Sequence, residues 1–424
     1  MSDPSLYEQT PPKRSPVWAI ALVIAAALGL FFTSFSTYDF AMYLDRQVHG
    51  IHCSFIPGLG GTDVSGTSGC HVTLMSPYSS VLRRLLWGGL PVSLPGMAVF
   101  ALLLYRGLDL LIVPARRADK AVTGVVLGMA TVPLITSVVM GSLALVVLDA
   151  ACKLCIGTYI SSALVFAAAL AIRLTMPTVD PEEQDDDAPR SSAGKEAIVG
   201  LLQLGVFVLL PTAAWAGLMP DHDAHIGTCG TLPAPEDKHG MLVDLEPGGP
   251  GAKPAIEVLD PLCPSCKGLE DRLAVSGHGD RLKRQAVLFP LDQTCNWMVG
   301  ATMHPGACTI SEAVLCAEDR GHEVIDWAYA HQAEIRDASA ADPKAAAAKV
   351  TAAFPEVADC IGKPAVRARL NHGLRWAVKN ELPVLTPQLF IDGQRVCDAD
   401  TDLGLDYALE RMLAGPATAS KEAP

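Results

Sequence analysis

Two Cys-x-x-Cys motifs are the residues best able to do chemistry. Cys152 and Cys155 open a long apolar run, and Cys263 and Cys266 follow a short one that ends at Leu259. Two thiols three residues apart share a helix face and lie close enough to form a disulfide without rebuilding the backbone. A helix N-terminus favours the thiolate, the reactive form of cysteine. The spacing therefore predicts redox-active pairs, the alternative being cysteines that only pack against neighbouring helices.

The composition restricts the class of protein. The chain has 424 residues, of which 50% are hydrophobic, and its mean hydropathy is +0.30. Part of it must therefore lie in a membrane. The net charge of −13, without clusters of Lys and Arg, argues against a nucleic-acid partner. Twelve cysteines indicate that at least part of the chain is in an oxidising compartment.

Five apolar runs predict five transmembrane spans. They are 17–34, 87–105, 121–148, 152–174 and 197–216. A cleaved signal peptide is the alternative for the first run. Basic residues at the N-terminus, in a loop from Arg106 to Lys120, and in the linker place these segments in the cytoplasm by the positive-inside rule. The loop with Cys53 and Cys70 and both Cys-x-x-Cys motifs then share the opposite side.

The last part of the chain has the pattern of an α/β domain. After an acidic linker, 178–196, and the fifth span, the run 254–259 predicts a buried strand that leads directly into the second Cys-x-x-Cys motif. A strand that delivers such a motif to a helix N-terminus is typical of a thioredoxin-like redox site. Pro387 stands at the start of a later strand and is a candidate for a cis peptide. The Ala-rich stretch 308–380 predicts a helical insertion between these parts.

These motifs, in this order, resemble a known combination. Residues 1–177 resemble the bacterial form of the vitamin K epoxide reductase (VKOR) family, and residues 237–424 resemble a thioredoxin-like domain of the DsbA type. The implied architecture is multidomain: a four-helix membrane bundle, a linking region over 178–236 with a fifth transmembrane helix, and an α/β thioredoxin-like domain with a helical insertion. The residues that carry the resemblance are Cys53, Cys70, Ser76, Cys152, Cys155 and Tyr159, then Cys263-Pro264-Ser265-Cys266 and Thr386-Pro387.

The sequence departs from these families in two places. The loop cysteines are separated by sixteen residues, which is wider than is usual in the VKOR family. The dipeptide Pro264-Ser265 stands where strongly oxidising DsbA proteins have Pro-His. The redox potential of those proteins is therefore not expected for the outer domain of this chain.

The resemblance implies an electron relay in a bacterial inner membrane, with the loop cysteines and the outer domain on the periplasmic side. Reduced or unfolded exported proteins would reduce the Cys263/Cys266 disulfide, with Pro387 as the cis-proline of the substrate site. The pair Cys53/Cys70 would reoxidise it, Cys70 would exchange with Cys152, and Cys155 would reduce a quinone, ubiquinone or menaquinone. Ser76 and Tyr159 correspond to the residues at the quinone carbonyls. The implied partners are these proteins, quinone and membrane lipid, with no metal and no nucleic acid.

Several of these residues have simpler alternatives. Ser76 could only cap a helix that begins at Pro77, and Tyr159 could be an interfacial anchor. Asp149 is most simply a helix cap. Cys263, at the exposed start of its helix, is the predicted nucleophile, and Cys266 is the resolving thiol.

Six further cysteines predict structural disulfides outside the membrane. They are Cys229, Cys295, Cys308, Cys316, Cys360 and Cys397, and we expect Cys295 to pair with Cys308. A four-cysteine zinc site formed by the two motifs is the alternative for those motifs.

Two other functions remain open from the sequence. One is a transmembrane reductase or isomerase system that keeps the outer domain reduced. The other is a non-catalytic, membrane-tethered binding module with structural disulfides only.

Overall fold

The computed structural model describes residues 16–47, 49–55, 62–63, 68–175 and 192–414. Most of the predicted acidic linker therefore lies outside the described residues. Contacts divide the chain into two compact units. The first contains the described residues of 1–42, 48–74 and 90–218, and the second contains those of 43–47, 75–89 and 219–424.

Up to Leu218 the chain is mainly helical. In chain order the elements are α1 (Val17–Met42), β1 (Ile51–His52), β2 (Thr62–Asp63), α2 (Gly69–Leu74), β3 (Ser80–Val81), β4 (Leu90–Pro91), α3 (Ser93–Ile112), α4 (Pro114–Ala118), α5 (Lys120–Ser142), α6 (Lys153–Leu174) and α7 (Ala193–Leu218). By length and composition α1, α3, α5, α6 and α7 can each cross a membrane, as the five apolar runs predict. The chain is thus a membrane protein.

The first unit is a bundle of these long helices. Helix α1 packs against α3 and α6, α5 packs against α6 and α3, and α7 packs against α3 and α5. Small residues permit the close approach. A Cβ on Gly29 would lie 2.2 Å from the ring of Phe100, and one on Gly157 would lie 2.7 Å from the ring of Phe32. Small residues at helix contacts are typical of membrane bundles, where packing replaces the hydrophobic effect as the attractive force.

The boundaries of two predicted spans are wrong. Helix α1 continues past the predicted end of the first span to Met42. The second span begins at Ser93 and not at Trp87, because Gly88 and Gly89 have positive φ and form a turn before the helix. Arg106, predicted in a basic loop, lies within α3 and is only 2% exposed.

The second unit contains a five-stranded sheet. Its elements are β5 (Val243–Glu246), β6 (Lys253–Leu259), α8 (Pro264–Ser276), β7 (Leu282–Leu288), α9 (Ala307–Cys316), α10 (Gly321–Ala330), α11 (Gln332–Ala341), α12 (Ala345–Ala353), α13 (Pro364–Lys379), β8 (Gln388–Ile391), β9 (Gln394–Arg395) and α14 (Leu405–Leu413). The strand order is β5-β7-β6-β8-β9, with β6 and β7 parallel and the other neighbours antiparallel. Helices α9 to α13 confirm the predicted helical insertion.

Helices cover both faces of this sheet. On one face Val258, Val287 and Phe390 pack with Leu374 and Ala377 of α13. On the other face, the clustered residues are Ala255, Leu389 and Ile391 of the strands, Leu269 and Leu273 of α8, and Leu405 and Leu409 of α14. Helix α8 begins shortly after β6 ends, and its residues Leu269 and Leu273 pack on the sheet.

Two segments of the loop between α1 and α3 also belong to the second unit. Trp87 is 3% exposed, and its ring occupies the space where a Cβ on Gly404 would lie, 2.5 Å away. Arg46 donates to Asp400 over 2.9 Å, and the Asp400 side chain is 1% exposed. Both segments are thus anchored by buried contacts to the sequence that follows residue 218.

Candidate redox sites

The first pair lies at the N-terminus of α6. Cys152 is the N-cap residue, its Sγ accepts a hydrogen bond from the Cys155 amide over 3.2 Å, and the two sulfurs lie 2.31 Å apart in a disulfide. The prediction that Asp149 caps this helix is wrong. Asp149 lies three residues earlier in a turn, with φ +47°. The motif itself therefore occupies the position where the helix dipole favours a thiolate.

The loop cysteines form a second disulfide in the same unit. Cys53 and Cys70 are joined, with their Cα atoms 5.7 Å apart, and Cys70 lies in the short helix α2. A Cβ on Gly69 would lie 2.3 Å from the carbonyl oxygen of Ala151. The backbone next to Cys70 thus touches the residue that precedes Cys152. Only glycine permits this approach, so Gly69 allows the backbone segments that carry the two cysteine pairs to touch.

A hydrogen-bonded pair that the sequence analysis missed holds the Cys53 loop. Asp39 of α1 is 3% exposed and accepts from the His52 backbone amide over 3.0 Å. Its other carboxylate oxygen lies 2.6 Å from His52 Nδ1. Because His52 directly precedes Cys53, Asp39 fixes the start of the redox loop on α1.

The two residues predicted at the quinone are found in different units. Tyr159 lies on α6, one turn beyond Cys155, and its ring packs 3.3 Å from the Cβ position of Gly141 on α5. Ser76 lies in the second unit and is 7% exposed. The helix-cap alternative for Ser76 is wrong, because a turn and not a helix follows it; the helix of this loop, α2, ends at Leu74.

The third pair lies at the N-terminus of α8 as two free thiols. Cys263 is the N-cap residue, and Pro264 occupies the first helical turn. Cys263 is 5% exposed and Cys266 is 2% exposed. The prediction of an exposed Cys263 is therefore wrong, although the residue stands at the start of a helix.

The two thiols of this pair differ in acidity. The hydrogen bond from the Cys266 thiol, together with one from Thr386, lowers the pKa of Cys263 to about 6 in spite of its burial. Burial and the neighbouring Cys263 raise the pKa of Cys266 well above its ordinary value. Cys263 is thus the thiolate at neutral pH, and Cys266 keeps its proton.

Helix α11 supports the backbone around Cys263. Gln332 donates to the carbonyl oxygens of Cys263, over 2.9 Å, and Pro261, over 3.3 Å. Arg336 donates to the carbonyl of Leu262 over 2.9 Å. The helical insertion thus positions the motif that follows β6.

A buried Asp–His pair lies beside this motif, and the sequence analysis did not single it out. Asp260 is fully buried and accepts from His304 Nδ1 over 2.8 Å. The carboxylate also accepts from the amides of Leu262 and Leu291, each over 2.7 Å. The signal that could have found Asp260 is an acidic residue directly after the predicted buried strand, three residues before Cys263.

The loop before β8 completes the outer site. The peptide between Thr386 and Pro387 is cis, in agreement with the sequence prediction. Cys263 Sγ lies 3.7 Å from the carbonyl oxygen of Thr386. The buried Thr386 hydroxyl has no partner among the described residues while Cys263 is a thiol, so it is free to donate to the thiolate.

The four cysteines of the first unit lie in a segment that a family comparison covers. Residues 20–170 match the vitamin K epoxide reductase (VKOR) family. No curated protein and no solved structure gave a significant match to the chain. The VKOR region, residues 20–170, therefore supports a thiol–disulfide oxidoreductase in general terms, and proteins of this family act with quinones.

Outside the VKOR region, the six remaining cysteines form three disulfides. The predicted pairing of Cys295 with Cys308 is confirmed. The other two bonds join Cys229 to Cys397 and Cys316 to Cys360. Across the described residues, no three His, Cys, Asp or Glu side chains are grouped so that they could hold a metal ion.

The acidity of Cys263 gives a testable pH dependence. We expect its alkylation by iodoacetamide to rise with pH around a midpoint of about 6, since only the thiolate reacts. The lowered pKa also makes the reduced protein more stable as pH rises above this value, and that contribution to stability is lost as pH falls through it.

Thr386→Val should move the pH midpoint of Cys263 alkylation upward by roughly half a unit to one unit. Peptide mass spectrometry measures the labelling, and Thr351→Val is the control. A midpoint near 9 in the wild type would contradict the assignment.

Proposed function

We propose that the chain is a quinone-dependent thiol–disulfide oxidoreductase that supports disulfide formation in exported proteins. The observation that carries the proposal is the contact between Gly69 and Ala151, which brings the Cys70 helix to the start of the Cys152 motif within the VKOR region. Thiol–disulfide exchange needs a thiolate that reaches a disulfide sulfur, and neighbouring pairs at a helix N-terminus satisfy that need.

The proposed relay begins at the second unit. A client dithiol reduces a Cys263–Cys266 disulfide and becomes a disulfide itself. The reduced pair then passes two electrons to Cys53–Cys70, and Cys70 exchanges with Cys152, which frees Cys155. Over all the exchange steps together, one client dithiol loses two electrons and two protons. The acidity difference supports Cys263 as the thiolate that reacts with other proteins and Cys266 as the thiol that resolves the mixed disulfide.

We further propose that residues 237–424 form a thioredoxin-like domain. The support is a motif that passes from a central strand to a helix N-terminus, with a cis proline before the next strand of the sheet. Pro387 is the proposed cis-proline of the client site. Residues 1–177 are the proposed membrane redox domain, and 178–236 link the two.

The terminal acceptor is proposed to be ubiquinone or menaquinone. Tyr159 fits this role, since it lies one turn beyond Cys155 on the same helix and carries a hydroxyl that can donate a hydrogen bond. Ser76 is proposed as a second donor from its correspondence with the family. A bound quinone supplies an acceptor for two electrons and two protons. The hydroxyls would stabilise the charge that develops on its oxygens.

The proposed setting is a bacterial inner membrane, with the cysteines on the periplasmic side. The distribution of Lys and Arg in the sequence supports this orientation. Clients are proposed to be reduced or unfolded exported proteins.

Anaerobic quinone reduction by the full chain in detergent tests the function. Supplied with a reduced, unfolded client, the wild type should form quinol. Cys155→Ala and Cys263→Ala should each reduce the rate to that measured without protein. The double substitution Cys229→Ala/Cys397→Ala removes a disulfide outside the relay and should retain turnover, with its folding checked by circular dichroism.

The pattern of activities separates the alternatives. Quinol formation without Cys263 would leave the VKOR region as an oxidase and remove the outer pair as its obligatory donor. Failure with every quinone, accompanied by reduction of a client disulfide, would favour the reductase or isomerase alternative. Resistance of all six relay cysteines to mild reductant would favour the binding module.

A further inference from the structure

The outer motif lacks a charge of its own between the two cysteines. Pro264 and Ser265 are both uncharged, and Cys263 is 5% exposed. A thiolate in such a place loses hydration, which is costly unless a positive group compensates for it. The hydrogen bonds from Cys266 and Thr386 and the N-terminus of α8 supply part of this compensation, whereas the Asp260 carboxylate opposes it. A positive charge that offsets Asp260 would therefore stabilise the thiolate further.

His304 lies on a loop that is fixed in place near the motif. The Cys295–Cys308 disulfide closes this loop. Asp292, three residues before this loop, accepts from the Gly306 amide and from the Thr302 hydroxyl within it, each over 3.2 Å. The loop is thus held by a covalent bond and by a buried carboxylate. His304, only 8% exposed, has little freedom to leave its position.

Asp260 connects His304 to the motif. Asp260 lies three residues before Cys263, and its backbone amide donates a hydrogen bond to Cys266 Sγ over 3.5 Å. Its carboxylate accepts from His304 Nδ1 over 2.8 Å, so Nε2 is the nitrogen that gains or loses a proton. Burial, and to a smaller extent Arg336, opposes the protonated imidazole, whereas the hydrogen bond and charge of Asp260 and the Cys263 thiolate favour it. The balance raises the pKa of His304.

We propose that His304, held by Asp260, takes up a proton when the Cys263–Cys266 disulfide is reduced and thereby stabilises the Cys263 thiolate. In this step a client dithiol gives two electrons and two protons. The client becomes a disulfide, one proton is on the Cys266 thiol, and the other converts His304, bonded to Asp260, to imidazolium, whose charge acts on the Cys263 thiolate. The proposal rests on the redox role of this pair in the proposed function. His304 affects the reaction only by stabilising the Cys263 thiolate. It is therefore a positioning residue and not a catalytic one.

A neutral replacement of His304 tests the proposal in the full chain. In His304→Gln the amide can still donate to Asp260, but the positive charge is gone. We expect the pH midpoint for alkylation of Cys263 to rise by about one unit, which means about tenfold slower labelling below the wild-type midpoint. The equilibrium constant for reduction of Cys263–Cys266 by glutathione should fall by about tenfold. His278→Gln, which alters a buried histidine beyond the other end of α8, should change neither value.

A charge-restoring variant separates charge from packing. His304→Lys should keep the midpoint within about half a unit of the wild type. The proposal is overturned if His304→Gln leaves both values within twofold of the wild type, or if His304→Lys shifts the midpoint as far as His304→Gln. If His304→Gln does not fold, as judged by circular dichroism, His304→Asn gives the same two readouts.

The outcome is independent of quinone turnover. Labelling and glutathione equilibration need neither a quinone nor a client protein. Absence of quinone reduction by the wild type would overturn the relay, whereas an unchanged midpoint in His304→Gln would overturn the role of His304 even if the relay is active.

Discussion

Cys266→Ser should accumulate mixed disulfides between Cys263 and client proteins, or between Cys263 and Cys53, at a level at least tenfold above the wild type. Cys266 is the thiol that resolves such adducts, because it lies one helical turn from Cys263 on the same face. Its burial and raised pKa keep it protonated until exchange begins. Serine cannot attack the mixed disulfide, so the adduct persists.

The adducts are measured on non-reducing gels and assigned by mass spectrometry of the joined peptides. Ser265→Ala is the matched control, since it changes the neighbouring residue and leaves both thiols. The double variant Cys263→Ser/Cys266→Ser should form no adduct. Equal adduct levels in Cys266→Ser and Ser265→Ala under mild oxidant would contradict the assignment of nucleophile and resolving thiol.

Arg284→Met should weaken the second unit by about 3–5 kcal/mol, the cost of leaving a buried carboxylate without its partner. Arg284, with a side chain 4% exposed, donates to Glu257 over 2.7 Å and to both oxygens of Glu270 over 2.7 and 2.8 Å. A third carboxylate, Glu246, accepts from Arg284 Nε over 3.0 Å. Without the guanidinium, Glu257 on β6 would be buried beside a second negative charge.

This loss should depend on pH. Burial raises the pKa of Glu257 to about 7 from 4.5, so the folded state favours its protonated form. The contribution of Glu257 to stability therefore falls as pH rises from about 4.5 to about 7. Removal of Arg284 raises this pKa further. We expect the destabilisation by Arg284→Met to be smaller at pH 5 than at pH 8.

Hydrogen exchange of peptides from β6 and β7 in the full chain measures the effect locally. Protection at pH 8 should fall by about 10²- to 10⁴-fold in Arg284→Met, the equivalent of about 3–5 kcal/mol. Lys349→Met removes the exposed ion pair with Glu334 and should leave protection unchanged. If both variants behave alike, the buried network does not stabilise the sheet.

The redox motifs could be located from the sequence because their chemistry is local. Residues three apart at a helix N-terminus face the same way whatever surrounds them, so Cys152/Cys155 and Cys263/Cys266 needed no knowledge of the fold. The five apolar helices were equally predictable, since span length follows from bilayer thickness. The pairing of Cys295 with Cys308 was predictable because a short loop with Gly300, Pro305 and Gly306 brings its ends together.

Other features depend on contacts between distant parts of the chain. The second span was placed too early because hydropathy cannot show that Trp87 packs against Gly404, more than three hundred residues later. The predicted exposure of Cys263 was wrong for a similar reason, since spacing cannot show that Gln332 of α11, 69 residues later, donates to the backbone of the motif. A helix N-terminus is exposed by default until another element packs on it.

The sequence by itself determined the membrane-spanning helices, the three pairs of cysteines and the order in which they occur. Only the tertiary structure decided which neighbours adjust their reactivity. Gly69 matters because its backbone meets Ala151. Asp39 and Asp260 matter because they bond His52 and His304, respectively. Local spacing fixes which residues share a helix face, whereas the charge and hydrogen bonds around a thiol come from segments that only folding brings together.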